Sequence, residues 1–156
     1  MRRLPDGRYA TPARVAAGAA DAPPTPALPT LEDFLALDAE GRQAARGVRL
    51  APDDALEALA PALHGLAVVA LEFPAFTDGR GFSHARRLRA SCGFAGEIRA
   101  VGDVRPDQAR QLVRCGVDAL EFATAPDEAL LERVLGRFGA GYQGSYPASP
   151  AAAGAA

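Results

Sequence analysis

Three acids, Glu72, Asp103 and Glu121, each close a short apolar run, and a fourth, Asp78, opens the stretch Asp78-Gly79-Arg80-Gly81-Phe82-Ser83. If the runs are parallel strands, their carboxyl ends share one rim, and side chains on that rim meet ligands. Carboxylates gathered there could hold Mg²⁺ or move protons, with Asp103 and Glu72 as candidate bases. The competing expectation is structural: such acids cap the following helices or pair with arginines such as Arg80 and Arg99. Arg80 presents a fork suited to phosphate, sulfate or carboxylate, and Gly79, Gly81 and Ser83 lead into a helix N-terminus where backbone N–H groups converge. A Gly-x-Gly this short is weak evidence for a nucleotide, because His84 stands where a dinucleotide fingerprint would have its third glycine. His84 itself could donate a proton beside a bound anion, or simply face solvent.

Between Gly79 and Gly96 there are arginines at 80, 86, 87 and 89 and no acid. Arg80, Arg86 and Arg87 could therefore dock an acidic partner; the alternative is a solvated helix face with its charges paired. For the whole chain, a net charge of −2 and a pI near 5.7 speak against general nucleic-acid affinity. All seventeen basic residues are arginine, which removes Schiff-base, pyridoxal phosphate and P-loop lysine chemistry. Cys92 and Cys115, with His64 and His84, make no metal-ligand spacing, so neither an iron–sulfur cluster nor a structural zinc is expected, and the cysteines read as small core residues.

Positioning these residues requires alternating elements. Val48-Arg49-Leu50, Leu66 to Glu72, Glu97 to Asp103 and Val117 to Phe122 suit buried strands. Pro52-Asp53-Asp54, Pro106-Asp107-Gln108 and Pro126-Asp127-Glu128 each predict a helix start, with proline in the first turn and acids at the positive end of the dipole. A fourth helix is expected from Ser83, capped by its hydroxyl, and Thr30 should cap another. Four βα units with a mostly parallel sheet follow, so the expected fold class is α/β, as a half βα barrel or a flavodoxin-like sheet. Ala70-Leu71-Glu72-Phe73 recurs as Ala119-Leu120-Glu121-Phe122, an internal echo. A half barrel exposes strand edges and would favour a homodimer.

The expected organisation is a Pro/Ala-rich flexible arm over 1–29, one domain over 30–143 and a disordered tail over 144–156. No apolar run is long enough to cross a bilayer, and Met1-Arg2-Arg3-Leu4-Pro5 opens no signal-peptide core, so the expected location is the cytoplasm.

The blocks Phe76 to Ser83, Gly96-Glu97-Ile98-Arg99-Ala100-Val101-Gly102-Asp103-Val104, Asp107-Gln108 and Asp118 to Phe122 strongly resemble a bacterial domain-of-unknown-function family. The similarity runs over about 47 to 143. Members of that family are often encoded beside the sulfite reductase hemoprotein and other assimilatory sulfur genes, and some are labelled oxidoreductases without a demonstrated reaction. The resemblance implies a cytoplasmic accessory of sulfite or nitrite reduction, partnered by the reductase or its electron donor. Without a flavin fingerprint, cluster ligands or a heme motif, the residues favour docking over electron carriage. The alternatives are a small enzyme acting on an anionic sulfur metabolite or phosphate ester, and a structural homodimer module. The candidate ligand-binding set is Asp78, Gly79, Arg80, Gly81, Ser83, Arg99, Gln108 and Glu121; no resident cofactor is evident, and Mg²⁺ is the ion the rim acids could hold.

Overall fold

The computed structural model describes residues 2–4, 8–11 and 25–136. The tail expected over 144–156, and residues 137–143, lie outside the described residues. Each apolar run does become a strand: β1 is Arg2–Arg3, β2 Tyr9–Ala10, β3 Gly47–Leu50, β4 Val68–Phe73, β5 Glu97–Gly102 and β6 Ala119–Leu120. The helices are α1 Leu31–Ala36, α2 Ala39–Ala45, α3 Arg80–Ala90, α4 Ala109–Arg114 and α5 Glu128–Gly136.

The six-stranded sheet runs β1-β2-β6-β5-β4-β3, with β3 to β6 parallel and β1 and β2 antiparallel. Consecutive parallel strands are therefore neighbours and the order never reverses, so the flavodoxin-like alternative, which needs a switch point, does not apply. Side-chain alternation gives the sheet two unlike faces. Val48, Leu50, Val69, Leu71, Phe73, Ile98, Ala100 and Leu120 form one core with Leu31 and Phe34 of α1, Ala85 and Leu88 of α3, Leu112 of α4 and Leu131 of α5. The helices that bury residues thus all cover the same face, as in half of a βα barrel. Each large apolar side chain sealed there stabilises by about 1.5–3 kcal/mol, which is what holds a six-residue helix such as α4 in place.

The local start signals work unevenly. Thr30 caps α1 by accepting from the Asp33 N–H at 3.2 Å, and Asp127 accepts from the Ala129 N–H at 2.9 Å to start α5. Pro106–Gln108 forms a 3₁₀ turn that feeds α4. After Pro52, however, no α-helix forms: turns and the 3₁₀ segments Leu56–Leu59 and Leu63–Gly65 connect β3 to β4. Leu56, Leu59 and Leu63 are buried, and their burial is met by short tight turns in place of a regular helix.

Where residues of the arm expected over 1–29 are described, they pack against the sheet. Tyr9 and Ala10 pair with Leu120 and Ala119, and Tyr9, Ala10, Thr25 and Leu28 are buried. Apolar and hydrogen-bonding residues spaced among the prolines outweigh the composition. The outer edge of β3 is partly taken too, since the Arg49 N–H donates to the Pro29 carbonyl at 2.8 Å.

Candidate functional site at the carboxyl rim

The loops after β4 and β5 meet at the rim, and a glycine sets the meeting. Gly102 lies at φ +95°, and a Cβ there would come within 2.5 Å of the Phe73 carbonyl oxygen. That conformation lets the Asp103 N–H donate to Phe73 O at 2.7 Å and sends its carboxylate outward. The Asp103 Oδ2 then accepts from the Phe76 N–H at 3.0 Å, while the Gln108 side-chain amide donates to the Phe76 carbonyl at 2.8 Å. Both backbone groups of Phe76 are thereby held by the neighbouring loop. Gln108 is held in turn, its Oε1 accepting from the Arg105 N–H at 3.1 Å. The Arg105 guanidinium lies 3.8 Å from the Phe76 ring centroid, and the ring remains 42 % exposed. Asp103, a candidate base, and Gln108, a candidate ligand-binding residue, are loop clamps in this geometry.

Arg80 is equally committed. Its Nε and Nη2 donate to the two oxygens of Asp78 at 3.0 and 2.7 Å, and Nη1 donates to Asp53. The Asp78 carboxylate also accepts from the Arg80 N–H at 3.1 Å, at the mouth of α3. Hydrogen bonds from Arg80 hold the Asp78 carboxyl down at about 2, and the same contacts push the guanidinium up. The chain's own carboxylate thus stands where an anion was expected.

Gly79 has an ordinary φ of −84°, and Gly81 sits inside α3 because a Cβ would lie 2.4 Å from the Phe73 ring. Gly81 serves close helix packing. The helix starts at Arg80, three residues before Ser83, which is exposed and caps nothing.

Glu72, Arg99 and Glu121 point to the opposite face, which among the described residues is covered by the 3₁₀ turn Thr25–Ala27 and by no α-helix. Ala70 and Ala119, the alanines of the echoed motif, stand in register on either side of Arg99 and leave room for its side chain. Arg99, fully buried, donates to Glu97 Oε1 at 2.7 Å and to the Thr25 hydroxyl at 3.0 Å. That hydroxyl donates to Glu121 Oε2 at 2.6 Å, and Arg8 donates to Glu97 Oε1 at 2.8 Å. Burial pushes the Arg99 guanidinium down, opposed chiefly by Glu97. Glu72 pairs with Arg49 at 2.9 Å, both about one-third exposed. The two candidate bases therefore do not converge: Glu72 sits on the face opposite α1, α3, α4 and α5, and Asp103 is tied to Phe76.

Arg8, Thr25 and Glu97 were missed from the sequence. The visible signal was the period-2 charge of Glu97-Ile98-Arg99 within an apolar strand, which marks two buried faces of opposite character.

The arginine patch divides. Arg87 pairs with Glu57 on the surface, Arg86 is exposed, and Arg89 turns inward to Asp118 and the Gly96 and Gly116 carbonyls at 2.9 and 3.0 Å. Beside Arg87, a groove of about 270 Å³ is lined by Leu56, Ala60, Leu63, His64 and Cys92. His84 is half-buried, and burial together with the nearby Arg87 pushes its imidazole down. Both cysteines are free, and Cys115 is buried. Among the described residues no three His, Cys, Asp or Glu side chains come together as a metal site. No helix among them is long and apolar enough to cross a membrane.

No curated protein and no solved structure matches the chain. A family profile described as "Bacterial protein of unknown function (DUF934)" matches residues 47–152. The match takes in the Phe76 clamp, Arg80 and the β3 to β6 sheet, and leaves out Arg8 and Thr25. Since it covers well over half of the sequence, the chain belongs to this bacterial family of unknown function.

Proposed function

We propose that the chain is a cytoplasmic accessory of sulfite or nitrite reduction that works by docking the reductase or its electron donor. One observation carries the docking half of this reading: the signature residues Asp103 and Gln108 spend their hydrogen bonds on the Phe76 backbone, so that an aromatic ring and Arg105 are held out to solvent. Aromatic and arginine side chains on a fixed scaffold are the usual anchors of protein interfaces. An enzyme acting on an anion is the weaker reading, since Asp78 already satisfies Arg80 and the mouth of α3. The metabolic setting comes from the resemblance to proteins encoded beside sulfite reductase genes.

The test is to mix the purified chain with sulfite reductase and its electron donor, and to measure association and turnover at low and moderate salt. Salt-sensitive association with faster turnover is expected. Absence of association together with an unchanged rate would overturn the proposal.

A further inference from the structure

We infer that the surface centred on Phe76 and Arg105 docks a basic protein surface carrying an apolar socket for the Phe76 ring, and that an acidic partner is repelled there. This rests on the docking reading above and narrows it to one kind of partner.

Three features converge on that surface. The first is exposure: Phe76 and Leu35 are the large hydrophobic side chains exposed among the described residues, and Pro74, Ala75 and Thr77 around Phe76 are exposed with it. The second is preorganisation. A loop whose central peptide is bonded through both N–H and C=O to the next loop loses little freedom on binding, and Arg105 stacked on the ring is already placed. The third is charge. In a sheet of consecutive parallel strands the helices begin at the carboxyl rim, and this chain starts them with acids. Asp53, Asp54, Asp78, Asp103, Asp107 and Asp127 lie in these rim loops, against Arg80 and Arg105. Arg87, Arg89, Arg114 and Arg133 fall in the last turns of α3, α4 and α5, at the opposite end. Arg80 and Arg105 are each beside an aspartate, so the rim loops around the Arg105–Phe76 stack keep an excess of negative charge, which favours basic surfaces.

The experiment measures binding of the full chain to immobilised sulfite reductase and, separately, to an acidic ferredoxin. The variants are Phe76→Ala, the double change Asp53→Arg with Asp107→Arg, and Leu35→Ala as an exposed apolar control. Phe76→Ala should weaken binding at least about tenfold. The charge reversal should also weaken it and reduce its salt dependence, while Leu35→Ala leaves it unchanged. These side chains are exposed, and equal melting temperatures would show that folding is intact. If the unaltered chain binds and Phe76→Ala binds equally well, this surface is wrong while the docking reading survives. Tighter binding after charge reversal would overturn the basic partner. No binding of the unaltered chain to either probe would overturn both.

Discussion

Replacing Arg99 by methionine should cost more than any other single change on the sheet face that carries Glu97 and Thr25. Arg99 is fully buried, its partner Glu97 is 2 % exposed, and Arg8, the other cation on Glu97, is 3 % exposed. Removing one guanidinium takes the 2.7 Å bond from Glu97 and the 3.0 Å bond from Thr25 without admitting bulk water. Breaking a buried pair on one side typically costs about 3–5 kcal/mol, because the remaining charge is left under-compensated in a poorly polarisable surrounding. Against a total stability of roughly 5–15 kcal/mol, most of the margin could go. Equilibrium urea unfolding of the full chain should show a lower midpoint with little change in slope. The triple change Arg8→Met, Glu97→Leu, Arg99→Met removes the three fully buried charges together, leaving the part-buried Glu121, and should recover much of the loss, since well-packed apolar replacements of buried ion networks are often neutral or stabilising. A single-variant loss under about 1 kcal/mol would refute the reasoning, because it would mean that the cluster is hydrated in solution. A triple variant no more stable than the single one would also refute it.

Gly102→Ala should destabilise by at least about 2 kcal/mol through its positive φ and the contact with Phe73 O, and should loosen the Phe76 loop; an unchanged denaturation midpoint would refute this. The Asp78 carboxyl, ordinarily near 3.8, is held at about 2 in the fold, so its contribution is complete above the unfolded value and lost as pH falls through about 2. Asp78→Asn should flatten the acid limb of the melting-temperature profile over that interval, and an unaltered limb would count against the Arg80 contacts. Burial pushes the Cys115 thiol up while Cys92 is only half-buried, so a thiol reagent should label Cys92 first and Cys115 on unfolding. Equal rates in the native protein would contradict the packing around α4.

Strands β3, β4 and β5 were legible because short apolar runs between acidic helix starts leave few other ways to bury Val, Ile and Leu. Thr30 and Asp127 could be read as helix starters because capping is a contact between residues two to three positions apart. The segment after Pro52 carried the same local signal and still formed 3₁₀ turns, since tertiary packing of Leu56, Leu59 and Leu63 set its geometry. The place of interest, residues 76 to 108, was also visible, and its charges could be read either as ligand groups or as internal pairs; the fold forms the internal pairs. Asp103 reads as a base until the turn at Gly102 aims it at the Phe76 N–H, and Asp78-Gly79-Arg80-Gly81 reads as an anion loop until Asp78 closes it.

The sequence by itself determined the α/β class, the acids at the helix starts and the exclusion of lysine chemistry, because these depend on residue type and on spacings of a few residues. Only the tertiary structure decided which charges meet. Arg8 with Glu97, Arg99 with Thr25 and Gln108 with Phe76 are separated by tens of residues, and strand order together with side-chain alternation brings them within hydrogen-bonding distance.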